Sequence, residues 1–264
     1  MLIISTLSDV NELVCLDMPA GPQFVEHLQR SWDNGNAVFP LDQRLPQHAR
    51  DQVLSAIAPT VIIDANSNHT RYNGHPVEPG DALVMATSGT TGTPKGVVLT
   101  HDALGASARA VHDRLQITPQ DRWLACLPLS HVGGLSVVTR SIIMGTRLHV
   151  VDKFSPEIYV DAAEDGCTLV SLVATALSRV DPSLYRTIVL GGAHPPKDRA
   201  TNVVITYGMT ETGSGIVYDG IPLSGVEIEI RNDEVFVCAP MLFRTYRDGT
   251  CPIDADGWFG TGDI

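Results

Sequence analysis

Residues 86–101 read ATSGTTGTPKGVVLTH, a loop rich in glycine and hydroxyl side chains, with one lysine, set between two apolar runs. Successive backbone N–H groups beside glycines form an anion-binding concavity, and the hydroxyls of Ser88, Thr90 and Thr91 add donors for phosphate oxygens. Lys95 supplies a mobile point cation. A Walker A loop needs Gly, four residues, then Gly-Lys and Ser or Thr. Here the fifth residue after Gly89 is Pro94, and Lys95 is followed by Gly96, so an ordinary P-loop is disfavoured. Spacing alone leaves the stretch open between a phosphate cradle and a surface loop without a ligand.

Working outward, ALVMAT and GVVLTH on either side of the loop read as strands, and DALGASARAVHDRLQ (102–116) as an amphipathic helix with Asp102 at its N-cap. Upstream, 22–32 and 45–59 read as helices and 60–64 as a buried strand, with Gly35 and Pro59 as stop signals. Downstream, 121–129, 147–152, 167–173, 187–192 and 202–208 are short apolar strands separated by helices or loops. That alternation predicts an α/β fold of layered, mostly parallel sheets with flanking helices. VEIEIRNDEVFVC (226–238) alternates with period two around Asn232-Asp233, which predicts a hairpin in a small antiparallel β subdomain at the C-terminal end. The turn-rich 72–81 is the best internal boundary, giving segments 1–80 (N-terminal α/β), 81–216 (nucleotide- and acyl-binding core) and 217–264 (β-rich).

A chain of 264 residues can form one large or two small domains. Its net charge of −12, with no basic run, makes nucleic acid a poor partner and any phosphate recognition local. Five scattered cysteines, odd in number and without a C-x-x-C pair, read as free thiols of a reducing cytosol. The apolar N-terminus lacks a basic start and is broken by Asp9 and Glu12, so neither a signal peptide nor a membrane span is expected. The expectation is a cytoplasmic protein with no membrane partner.

TSGTTGTPKGV (87–97), LPLSHVGGL (127–135), YGMTETG (207–213) and GWFGTGD (257–263) occur in the order of the signature motifs of the adenylate-forming superfamily, and the chain resembles that superfamily from about residue 80 onward. The superfamily contains acyl-CoA synthetases, luciferases and peptide-synthetase adenylation domains. SHVGGLSVVTRSIIMGT (130–146) and TYGMTETGSGIVYDGIPLSGVEI (206–228) are most similar to the o-succinylbenzoate–CoA ligases of menaquinone synthesis, of the compact actinobacterial type. The resemblance implies ATP-dependent, Mg2+-assisted activation of a carboxylate to an acyl-adenylate, followed by a CoA thioester in the complete enzyme. Positioning and neutralisation of phosphate charge supply most of the catalysis in such a step.

By the same resemblance, Thr87, Ser88, Gly89, Thr90, Thr91, Gly92 and Lys95 hold the β- and γ-phosphates. Thr210 contacts the α-phosphate, and Glu211 binds the metal. Gly191, Gly192 and Ala193 let the adenine approach the backbone, Tyr207 stacks on it with Gly208 and Met209 alongside, and Asp263 accepts from the ribose hydroxyls. His131 gates the carboxylate beside the α-phosphate. Gly133 stands where some relatives carry a serine, which leaves a roomier acyl pocket. Arg140 pairs with a substrate carboxylate, which suits a dianionic aromatic keto-acid; its bland reading is a helix-surface arginine with an acidic neighbour. For Thr210-Glu211 the bland reading is a helix start.

The expected partners are ATP, CoA and a small-molecule carboxylate, with a homodimer left open. The sequence ends at Ile264, directly after GTGD, where the superfamily continues into a C-terminal domain carrying the adenylation lysine. None of the three lysines, Lys95, Lys153 and Lys197, lies in that context. The expectation is therefore an N-terminal domain, incomplete or weakly active alone, whose C-terminal domain is missing or a separate chain. A ligase for another aromatic or fatty acid, or an ATP/acyl-binding module without catalysis, stays open. A hydrolase using Ser88 or Ser130 with His131 is disfavoured, because no G-x-S-x-G elbow is present.

Overall fold

A computed structural model describes residues 10–88, 94–192 and 198–264. Of the expected site residues, Gly89, Thr90, Thr91, Gly92 and Ala193 lie outside the described residues. Among the described residues, two seven-stranded sheets and one three-stranded sheet carry the fold. The first runs Thr245–Tyr246, Pro94–Thr100, Asp81–Ser88, Ala37–Pro40, Leu13–Asp17, Val61–Asp64, His69–Arg71, with its four central strands from Asp81–Ser88 to Val61–Asp64 parallel. The second runs Ile221–Pro222, Ser214–Tyr218, Val203–Met209, Thr187–Gly191, Leu169–Val173, Arg122–Ala125, Arg147–Val150, parallel over its last five. Glu227–Arg231, Glu234–Cys238 and Phe259–Gly260 form the antiparallel third. The first sheet contains strands from both sides of residue 80, and the strand Ser214–Tyr218 runs across residue 216.

Helices His101–Arg114 and Val132–Met144 fill the space between the two large sheets. Leu104, Val111, Leu135 and Val138 meet Leu83, Met85, Val97 and Leu99 on one side and Trp123, Leu169, Val189 and Ile216 on the other. Helix Gln47–Ile57 covers the outer face of the first sheet, through Val53, Leu54 and Ile57 against Cys15, Phe39, Val84 and Val98. Pro156–Glu164 and Ala174–Leu177 cover the outer face of the second, with Tyr159, Ala162 and Ala176 against Leu124, Val170 and Ile188. These layers are the α/β arrangement that the strand and helix alternation implies.

Two local expectations resolve differently from each other. Asn232 and Asp233 both take positive φ, 51° and 67°, as a two-residue primed hairpin turn requires. The N-cap of His101–Arg114 is not Asp102. Thr100 is extended, and its Oγ1 accepts from the backbone N–H of Ala103 at 3.1 Å, while Asp102 already lies in the first helical turn.

A strap from the C-terminal end closes over the first sheet. Thr245 and Tyr246 pair antiparallel with Val98 and Val97. Arg244 donates two 2.9 Å bonds to the carboxylate of buried Asp81, and Arg247 donates to the carbonyls of Ile57 and Pro76 at 3.0 and 2.8 Å. A bidentate pair against a buried carboxylate is a strong anchor. It brings residue 246 beside residue 95.

Candidate active site

The described flanks of the opening stretch pair as antiparallel strands, with Thr87 opposite Lys95 and Ser88 opposite Pro94. On the second sheet, strand Val203–Met209 ends in a one-turn 3₁₀ helix, Thr210–Thr212, before the chain returns along Ser214–Tyr218. The turn is pinned by Thr212, whose Oγ1 pairs with the Met209 backbone and donates to the Ser214 carbonyl. Thr210-Glu211 therefore sits in a strand-to-strand turn and does not begin an α-helix. Gly208 is required by close approach, because a Cβ there would stand 2.3 Å from the Ser214 carbonyl oxygen.

This strand end separates two concavities. Thr206 and Gly208 face a cavity of about 310 Å3, while Met209, Thr210 and Glu211 face an open cleft of about 560 Å3. Thr87, Lys95, Thr210, Glu211, Tyr246 and Asp263 line the cleft. The Tyr207 hydroxyl donates to Asp263 Oδ2 at 2.6 Å, tying the cleft's far rim to the second sheet. Burial first, and then that carboxylate, push the Tyr207 phenol up to about 12, so it remains a donor at neutral pH.

His131, Gly133, Arg140, Gly191 and Gly192 line the cavity together with Ser136, Ser214 and Tyr218. Arg140 is 5% exposed and lies on the inner face of helix Val132–Met144. Its guanidinium donates to the Ser136 carbonyl and Oγ, both at 2.9 Å, and to Ser214 Oγ at 2.7 Å, and lies 5.2 Å from the Trp123 ring centroid. Among the described residues no carboxylate pairs with it, and its Nη1 has no hydrogen-bond partner. The Tyr218 hydroxyl on the same cavity wall is also buried without a partner. Burial drives the Arg140 pKa down, and nearby Tyr218 opposes it. The helix-surface reading of Arg140 is thereby replaced by a buried one. At Gly133 a Cβ would meet nothing within 4 Å, so that wall has room.

His131 caps the same helix and projects to the cavity mouth, its side chain 62% exposed. Arg44 Nη2 lies 2.8 Å from His131 Nε2, and Arg44 also grips Asp42 through two contacts of 2.9 and 2.7 Å. An arginine is always a donor, so in this arrangement Nε2 accepts and the ring proton sits on Nδ1. The hydrogen bonds from Arg44 lead in holding the Asp42 carboxyl down at about 2.

Most of the expected residues fall into two adjoining groups, while Tyr207 lines neither and meets the cleft only through its bond to Asp263. Thr87, Lys95, Thr210, Glu211 and Asp263 share the cleft, while His131, Gly133, Arg140, Gly191, Gly192 and Gly208 share the cavity. Sequence reasoning missed Tyr246, Tyr218, Ser136 and Ser214, and also Asp42 and Arg44. Ser214 and Tyr218 follow YGMTETG directly, and Ser136 precedes Arg140 by one helical turn, so a local signal existed for these three. Tyr246, Asp42 and Arg44 reach the site only through tertiary structure.

Residues 64–240 match the AMP-binding enzyme family, and the chain belongs to it. Within that family it is similar to a protein of Mycobacterium tuberculosis named probable 2-succinylbenzoate–CoA ligase, at 37% identity over 215 residues, covering 72% of this chain and 56% of the relative. Its fold superposes on o-succinylbenzoate CoA synthetase (MenE) from Bacillus subtilis in complex with the acyl-adenylate intermediate OSB-AMP, with TM-score 0.83 and 26% identity, over 95% of this chain and 65% of that one. The same enzyme in complex with ATP and magnesium ion gives TM-score 0.82 at 25% identity, over 95% of this chain and 82% of that one. The chain spans about half the length of the curated relatives it matches. Family and fold agree with what the four motifs imply.

Proposed function

We propose that this chain binds the phosphates and ribose of ATP in the open cleft and o-succinylbenzoate in the adjoining cavity, where Gly191 and Gly192 form the adenine-side wall, and supports transfer of the adenylyl group to one substrate carboxylate. The observation that carries the reading is Arg140, a buried guanidinium with no acidic partner among the described residues, in a cavity beside the Thr210-Glu211 turn. A charge so placed is costly unless a ligand completes it. A second carboxylate, on the far side of the substrate from the reacting one, supplies that partner. An unbranched fatty acid would leave it unmet, so the aromatic diacid is favoured over an acyl chain.

In this reading, an oxygen of the reacting carboxylate attacks the α-phosphorus, and the bond to the bridging oxygen of pyrophosphate breaks. Lys95 and the residues from Thr87 to Gly92 hold the departing phosphates, Thr210 contacts the α-phosphate, and Asp263, positioned by Tyr207, accepts from the ribose. His131, with Nδ1 as donor, stands at the mouth where the carboxylate meets the nucleotide. Glu211 suits a magnesium ion. Among the described residues no cluster of three His, Cys, Asp or Glu could cage a metal, and Mg2+ commonly takes one or two carboxylates, with phosphate and water completing the shell. The ion would neutralise phosphate charge when bound. Thioester formation with CoA is proposed for the full-length protein.

The test is calorimetric titration with o-succinylbenzoate, its aryl methyl ester, and decanoate. The diacid is expected to bind at least about 30-fold tighter than the ester, because the ester leaves a buried charge unpaired. Equal affinities for diacid and ester would refute the assignment.

A further inference from the structure

Lys95 and Glu211 carry opposite charge and line the same cleft, yet no ion pair joins them among the described residues. Tyr246 stands between them. Its hydroxyl donates to Glu211 Oε1 at 3.0 Å, and Lys95 Nζ lies 5.0 Å from its ring centroid. The strap that carries Tyr246 is fixed to both neighbours through the backbone. The N–H of Phe243 donates to the Glu211 carbonyl at 2.7 Å, and that of Arg247 to the Gly96 carbonyl at 2.6 Å. Phe243 also packs on the Tyr246 ring at 4.8 Å. The ring thus has little freedom, and both charged arms are set against it.

We infer that Tyr246 is a positioning residue for the nucleotide–metal site, holding Glu211 and Lys95 apart and each ready for its own ligand. The inference rests on the reading above that Glu211 meets the metal and Lys95 the phosphates. One carboxylate oxygen is occupied by the phenol, which orients the other toward a hard cation. Hydrogen-bonded partners of metal-binding carboxylates act in this way, and their loss typically weakens metal affinity. The ring face attracts the ammonium without quenching it as a carboxylate would.

The experiment measures ATP affinity of the purified chain by calorimetry, in EDTA and across a Mg2+ titration, for wild type, Y246F, Y246L and E211Q. Y246F keeps the ring and loses only the hydroxyl. It should raise the half-saturating Mg2+ concentration for ATP binding by about 10-fold. Y246L also removes the surface under Lys95 and should weaken ATP binding in EDTA as well. If E211Q abolishes the Mg2+ response while Y246F titrates like wild type, the role given to Tyr246 is wrong and the metal reading of Glu211 stands. If E211Q itself titrates like wild type, the metal reading fails and the inference falls with it. Melting curves establish that each variant is folded, and the conservative Y246F, which keeps the ring in place, decides the outcome.

Discussion

Replacing Arg140 by methionine separates a substrate anchor from a structural strut. The guanidinium makes three bonds of 2.9, 2.9 and 2.7 Å inside the fold. Hydrogen bonds to a charged group contribute about 1.5–3 kcal/mol each. Against them stands the cost of burying an unpaired cation, itself several kcal/mol. The two nearly cancel, and methionine keeps the apolar contact with Trp123. R140M should therefore change unfolding free energy by no more than about 1 kcal/mol, in either direction. On the proposed function binding is different, since the variant would leave a substrate carboxylate buried without its partner. That costs about 2–5 kcal/mol, or about 30-fold or more in affinity for o-succinylbenzoate, with ATP affinity unaltered. Urea unfolding and calorimetric titration read the two effects independently. A loss of stability beyond about 3 kcal/mol with acid binding intact would identify Arg140 as a strut and refute the reasoning.

Two other perturbations test how the site is supported. Burial raises the Asp121 carboxyl, but two 2.9 Å bonds from Arg186 and further bonds from Thr118 and Thr168 outweigh it and bring it down to about 2. Its folded value lies below the unfolded value of about 3.9, so its stabilisation is complete above that value and is lost as pH falls through about 2, amounting to about 2–3 kcal/mol. D121N should lower stability at neutral pH by about 3 kcal/mol and flatten the dependence between about pH 4 and 2, measured by denaturant titration at several pH values; an unchanged acid slope would count against it. G208A places a Cβ 2.3 Å from the Ser214 carbonyl oxygen and should cost about 1–3 kcal/mol while weakening both ATP and acid binding, since the strand end serves both concavities. A normal melting temperature with unchanged affinities would show that this approach is not needed.

Much of the fold was legible because its signals are local. The hairpin turn at Asn232-Asp233 is set by two residues that tolerate positive φ, and apolar runs such as TIVLG mark fully buried parallel strands. The N-cap shows the limit of such reading. Thr100 and Asp102 are both able caps, and the choice depends on where the preceding strand stops, which tertiary pairing decides. The grouping of Lys95, Thr210, Glu211 and Asp263 could be anticipated only through the ordered motifs, not from spacing. Tyr246 carried no signal of its own, because its role arises when the strap pairs with Val97–Val98 across a long sequence separation. The burial of Arg140 was equally hidden. Helix Val132–Met144 packs between two sheets, so the face that would otherwise be solvated turns inward.

On the proposed function, one strand end joins a nucleotide cleft to an acid cavity, and a single ligand can span both. The most direct measurement is the affinity of the chain for an acyl-sulfamate analogue of o-succinylbenzoyl-AMP, set beside AMP alone and o-succinylbenzoate alone. Linking two ligands whose sites adjoin makes the second contact intramolecular, so the analogue should bind about 100-fold or more tighter than either part. An analogue that binds no better than AMP would overturn the proposed function, since the acid half would then find no site beside the nucleotide.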